Sequence, residues 1–184
     1  MLSNLIHIKK NKVSRAIVCI LLFAFSYCGF AQETNYKTYS IFIYNFIKYI
    51  EWPKIEPAKK DFTIYMIGNS KVFGELTTLA KTKRIKYKTI IVKKSDEFQN
   101  FQDADLIYIS DNKSLTVKDI TSKLKDKEIL IIGEREDLAK KGAAISFAVL
   151  ETDELSFDIN LKELRSRKLQ ISSSLIRLGN IVEE

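Results

Sequence analysis

The sequence predicts an α/β fold: a mostly parallel open sheet with helices on both faces and a C-terminal antiparallel hairpin at one edge. Three observations carry this. Short apolar runs alternate with helix-period segments through the middle of the chain, the pattern of parallel sheets built by right-handed crossovers. Two runs, ADLIYIS (104–110) and EILIIGE (128–134), are continuously apolar at their centres, as strands buried on both faces are. Near the C-terminus, AAISFAVLE (143–151) and LSFDIN (155–160) stand too close together for a crossover, so they pair antiparallel.

The elements follow in order. MLSNLIHIKKNKVSR carries Lys9, Lys10, Lys12 and Arg15 and no acid, and the apolar run AIVCILLFAFSYC follows it. Gly29 and Ala31 put small residues where a signal peptidase reads, so residues 1–31 are expected to be a signal peptide, cleaved after Ala31. The apolar run is short of the roughly 20 residues a membrane helix needs, which disfavours an uncleaved anchor. Tyr27 before Cys28 disfavours a lipoprotein, because a small residue normally stands there. Residues 32–184 are expected to form a single domain.

Tyr39, Phe42, Ile43, Phe46, Ile47 and Ile50 recur at helical spacing and predict a helix over residues 35–50. Pro53 cannot continue it and restricts Trp52. Ile41 and Tyr44 fall on the opposite side, near Lys37 and Lys48, so this outer face is a candidate partner-binding surface. FTIYMIG (62–68) is a strand ending at Gly68, with Asn69 or Ser70 capping a helix to Lys81. Residues 84–93 read as a second strand, Ser95 as the cap of a helical turn EFQNFQ, and 104–110 as a third strand. Thr116 caps a helix to Lys125, and 128–134 is a fourth strand. REDLAKKG reads as a short helix closed by Gly142. In LSFDIN, Leu155, Phe157 and Ile159 are expected inward and Ser156, Asp158 and Asn160 outward. Two helices close the chain, the last with Ile171, Leu175, Leu178 and Val182 on one face.

Removing the leader changes the chemistry. Thirty basic residues less the leader's four leave 26 against 23 acids, a net charge of +3 that gives no case for nucleic acid. Cys19, Cys28 and the only histidine, His7, leave as well. Without His or Cys there is no Ser-His-Asp triad, no Cys-His pair and no ordinary zinc site. An enzyme is disfavoured, and neither a cofactor nor a metal is expected. A carboxylate hydrolase using Glu134 and Asp111 is the remaining catalytic reading.

In an open parallel sheet, ligands bind beyond the carboxyl ends of the strands. Asn69 and Ser70, Asp111 and Asn112, and Arg135 are therefore the candidate ligand-binding residues, with free backbone N–H groups for an anion. The chain has no G-x-G-x-x-G and no G-x-x-x-x-G-K. Glu134, Glu136 and Asp137 read as charges at a helix N-terminus, and Asp153 and Glu154 as a polar turn. In LKELRSRKLQ, the charges Lys162, Arg165, Arg167 and Lys168 are expected on the surface, with Arg165 and Arg167 as candidate contacts to an acidic partner.

FIYNFIKYIEWP (42–53), FTIYMIGNSKVFGEL (62–76) and the C-terminal F-D-I-N…I-S-S…L pattern together resemble the YfiR family of small periplasmic proteins, over essentially all of the mature chain. The residues carrying the resemblance as structural positions are Asn45, Phe46, Trp52, Pro53, Gly68, Asn160, Ser172 and Ser173. The resemblance implies a non-catalytic periplasmic regulator that binds a membrane-bound signalling protein, such as a diguanylate cyclase, through that protein's periplasmic part. It also implies an outer-membrane-associated partner that sequesters the regulator. A homodimer is a further expectation. The alternative function is a periplasmic sensor that binds a small ligand in the strand-end crevice.

Overall fold

The computed structural model describes residues 35–53, 59–99, 101, 103–150, 152 and 154–182. The expected signal peptide and Asp153 lie outside these residues. Helix α1 (Tyr36–Tyr49) starts where Asn35 accepts a hydrogen bond from the Thr38 N–H through its side chain, at 3.3 Å. It stops because Ile50 turns extended into a two-residue strand, β1 (Ile50–Glu51). This pairs antiparallel with β9 (Gln170–Ile171) in a small sheet of its own. Trp52 comes next, buried edge-on against Phe62 with ring centroids 5.2 Å apart.

The main sheet holds β2 (Asp61–Ile67), β3 (Arg84–Ile85), β4 (Lys88–Ser95), β5 (Leu106–Ile109), β6 (Leu130–Gly133), β7 (Ile145–Val149), β8 (Leu155–Ile159) and β10 (Asn180–Ile181). Their spatial order is β10-β8-β7-β6-β5-β2-β4-β3. The run from β7 to β4 is parallel, while β3 and β8 lie antiparallel to their inner neighbours. The order therefore reverses between β2 and β5, since β4 returns to one side of β2 and β5 to the other.

Side chains alternate across the sheet. Leu106 and Tyr108 face a core with Ile43 and Phe46 of α1 and with Val72 and Leu76 of α2 (Val72–Thr82). Ile107 and Ile109 face a second core with Val117 and Ile120 of α3 (Val117–Lys123) and with Leu124. Every residue of β5 and β6 is buried, as two-sided packing requires. Phe46 packs between Phe147 and Phe157, at 5.8 and 4.8 Å.

Several local expectations are corrected. Residues 84–93 form a hairpin rather than one strand, because Lys86 adopts φ 55 and reverses the chain between β3 and β4. Among the described residues of EFQNFQ no helical turn forms: Phe101 instead stacks on Tyr65 at 4.0 Å, and burying that ring fixes the segment as a loop. The Thr116 hydroxyl donates back to the Lys113 carbonyl and caps nothing, and a 3-10 turn over Asp111–Thr116 precedes α3. REDLAKKG keeps only a 3-10 turn at Ala139–Lys141, although Gly142 closes it at φ 110 as expected.

Asp158 and Asn160 are buried rather than outward. Asn180 on the neighbouring β10 reaches Asp158 at 3.4 Å. Asn160 caps α4 (Leu161–Ser166), accepting from the Glu163 N–H at 3.0 Å, and donates to the Ala139 carbonyl at 2.8 Å. The expected final helix is one turn, α5 (Ser173–Ile176). Ile171 belongs to β9, Leu175 is buried, Leu178 is exposed and β10 follows, so those residues share no helix face.

Candidate functional site

Two places bring expected site residues together. The first is the carboxyl end of the parallel strands. Gly68 leaves β2 at φ 92, and a Cβ there would come within 2.5 Å of Asn112 Oδ1 and 2.6 Å of Lys113 Cγ. Only glycine admits that approach. Asn112 Oδ1 in turn accepts from the Asn69 N–H at 3.1 Å, and Lys94 donates to Asn69 Oδ1 at 2.9 Å.

Glu134, one residue beyond β6, joins the loops. Its Oε1 accepts from the Ser70 hydroxyl at 2.6 Å and its Oε2 from the Asp111 N–H at 2.9 Å. The Ser70 oxygen also accepts from the Val72 N–H at 3.2 Å, but Lys71 rather than Asn69 or Ser70 stands at the N-cap of α2. The Asn69 and Asp111 backbone donors are thus held by the chain itself, the Asp111 N–H by a carboxylate. Burial pushes the Glu134 carboxyl above its ordinary value, against the downward pull of Ser70 and Asp111. On the same sheet face the Tyr108 and Ser110 hydroxyls are buried and find no partner in hydrogen-bond geometry among the described residues. Burial, and then the charge of Glu134, raise the Tyr108 phenol well above the ordinary range, and Tyr39 shifts the same way for the same two causes.

Arg135 and Asp111 stand apart from this centre. Their side chains are 61% and 69% exposed and 4.0 Å apart, an ion pair of little energetic weight. Sequence reasoning missed Tyr108, and it placed Glu134 only as a helix N-terminal charge or a hydrolase carboxylate, not as the group that joins these loops. The available signal was a carboxylate directly after a fully buried strand. Glu136 and Asp137 do not sit on a helix N-terminus: Glu136 accepts from the Val149 N–H at 2.8 Å and Asp137 pairs with Lys140 at 2.8 Å.

The second place is the outer face of α1. Ile41 is 45% exposed and Tyr49 42%, large apolar groups that no fold contact requires in the open. The Lys48 ammonium lies 5.7 Å from the Tyr44 ring centroid and 6.0 Å from that of Tyr49, within cation–π range. Tyr44 is half-buried and its hydroxyl donates to the Arg84 carbonyl at 3.3 Å. It therefore walls a cavity of about 340 Å³ together with Lys48, Glu51, Trp52, Arg84 and Lys86. The Trp52 Nε1 is buried without a hydrogen-bond partner among the described residues.

The other expected residues divide. Phe46 and Trp52 are core, Asn45 is half-buried on α1, and Pro53 is exposed in the turn after β1. Ser172 caps α5, accepting from the Leu175 N–H at 3.2 Å, and Ser173 is exposed. Arg165 is exposed, but Arg167 is not a surface contact. It is 1% exposed, and its guanidinium donates to the carbonyls of Leu124 at 2.9 Å and Thr121 at 3.3 Å, closing the C-terminal end of α3. The Leu124 carbonyl also accepts from the Lys127 N–H at 3.1 Å, so the arginine supplies a second donor to an oxygen with two lone pairs.

A family model described as YfiR/HmsC-like matches residues 36–180. The chain belongs to the YfiR/HmsC-like family. A crystal structure of a conserved domain protein from Vibrio cholerae O1 biovar El Tor str. N16961 shares the fold, with a TM-score of 0.52 at 12% sequence identity. The match covers 81% of this chain and 60% of that one, so this chain spans about three-fifths of that protein's length. No curated protein matches the sequence. Among the described residues, no helix is long and apolar enough to cross a membrane.

Proposed function

We propose that this member of the YfiR/HmsC-like family is a non-catalytic periplasmic regulator. It docks on the periplasmic part of a membrane-bound signalling protein through the outer face of α1. Family membership over residues 36–180 supports the class of function. The observation that carries the docking surface is the exposure of Ile41 and Tyr49 on the helix whose Tyr44 and Lys48 wall the cavity with Arg84. Exposed apolar groups rimmed by charge are how protein interfaces look when empty. Control of a diguanylate cyclase is the form of output the family resemblance favours.

The test is cross-linked capture of the tagged mature protein from its native envelope, beside Ile41→Asp. The expected result is one dominant membrane protein, at least tenfold depleted with the variant. Equal recovery with both proteins, or recovery of the chain alone, rejects the docking surface; recovery of the chain alone also favours a homodimer.

A second reading, ligand sensing at the strand ends, has one specific support. Gly68 and Ser110 flank the point where strand order reverses between β2 and β5, where such sheets place ligands. Because Glu134 already takes the Asp111 N–H, a ligand there must offer donors rather than an anion. A thermal midpoint unmoved by millimolar amines and aromatic amino acids removes that reading.

A further inference from the structure

On the opposite side from the α1 core, α3, the turn before β7 and α4 enclose a recess of about 590 Å³. That is within the roughly 300–1,000 Å³ of small-molecule sites. Its lining carries six cations, Lys118, Lys125, Lys140, Lys141, Lys162 and Arg167, and one carboxylate, Glu163. The mature chain as a whole is close to charge balance, so this is a local concentration, not a reflection of composition. Asp137 compensates Lys140 at 2.8 Å, and Glu163 lies 3.4 Å from Arg167. With both pairs and Lys162 set aside, Lys118, Lys125 and Lys141 still line the same recess.

We propose that this recess binds a soluble small molecule bearing a phosphate group of two or more negative charges. A concave site lined by one sign of charge focuses its potential and concentrates counter-ions of the opposite sign. The neutral side chains offer a ligand no free donor. The hydroxyls of Thr121, Ser122 and Ser166 already donate to main-chain carbonyls, at 3.1, 2.7 and 2.9 Å. The lysine ammoniums are therefore the principal donors to a ligand, and a phosphate offers them three acceptor oxygens where a monocarboxylate offers two. The buried Arg167 Nε has no acceptor among the described residues. A membrane surface fits less well: among the described residues, no exposed large apolar side chain lines the recess to insert among acyl chains.

The experiment is isothermal titration of the mature chain with pyrophosphate at low salt. It is repeated on Lys118→Ser/Lys141→Ser and on Lys118→Arg/Lys141→Arg, which leave Arg167 and its carbonyl contacts in place. The expected result is saturable single-site binding, weakened at least tenfold by the serine pair and retained by the arginine pair. Weakening with added salt is expected as well. If the serine pair fails to fold, Lys141→Ser alone must still weaken binding. Absence of saturable binding, or equal binding by the serine pair, overturns the proposal. So does retention on phosphatidylglycerol vesicles with no binding of soluble pyrophosphate, which assigns the recess to lipid head groups instead.

Discussion

Gly68 and Gly74 stand on the same loop-and-helix unit and meet opposite demands. Gly68 has φ 92 and Asn112 pressed against its missing side chain. Gly74 lies inside α2 with nothing within 4 Å of where a Cβ would stand. Gly68→Ala is expected to cost about 1–3 kcal/mol of unfolding free energy. Gly74→Ala is expected to add about 0.5–1 kcal/mol. Urea denaturation of both variants checks the pair, and a loss at Gly74 would mean that α2 is packed where it looks open. Glu134 makes a pH prediction. Its folded carboxyl is raised above the ordinary 4.5, so the native state holds its proton more tightly than the unfolded chain does. Stability contributed by this group is therefore full below pH 4.5 and falls as pH rises through the raised folded value. Glu134→Gln, which can still accept from the Asp111 N–H, is expected to flatten that part of the stability–pH curve and to raise stability at pH 7. Parallel curves for the two proteins would contradict the burial argument.

At the scale of elements, α1 is the piece most legible in the sequence. Its stripe of Tyr39, Ile43, Phe46 and Ile47 is buried, and Pro53 follows its end by a few residues. Periodicity succeeds here because a helix docked on a sheet must hide one face, and the rest of the chain cannot alter that demand. Phe46 is fully buried among Phe42, Phe147 and Phe157, so Phe46→Ala is expected to lose about 3–5 kcal/mol by calorimetry or denaturation. A loss under 1 kcal/mol would mean α1 is not seated on the β7–β8 hairpin. The short elements were much less legible. Lys86 turns β3 into β4 at a positive φ that no glycine or asparagine announces. α5 and β10 are too short for any period to show, and β10 is placed by pairing with Asp158 and Ile159 on β8.

At the scale of the molecule, the alternation of strands and helices was enough to foresee the parallel sheet, the two helical faces and the antiparallel hairpin. The sites were foreseen only in part, because sites gather residues that are distant in sequence. Glu134 reaches Ser70 across 64 positions, and Arg167 reaches Leu124 across 43. No local pattern encodes either contact. Arg167 reads as one more surface charge in a basic segment, whereas its partners are carbonyls at the end of a helix elsewhere in the chain. Ile41, by contrast, could be placed outside from helical phase alone, and there it is exposed.

The measurement that tests the docking account most directly is site-specific photo-crosslinking in intact cells. One photoreactive residue replaces Ile41, and another replaces Leu115, which is 94% exposed on the turn before α3. The account predicts an adduct with a membrane protein from position 41 and none with that protein from position 115. No adduct from position 41, or the same adduct from both, would contradict it.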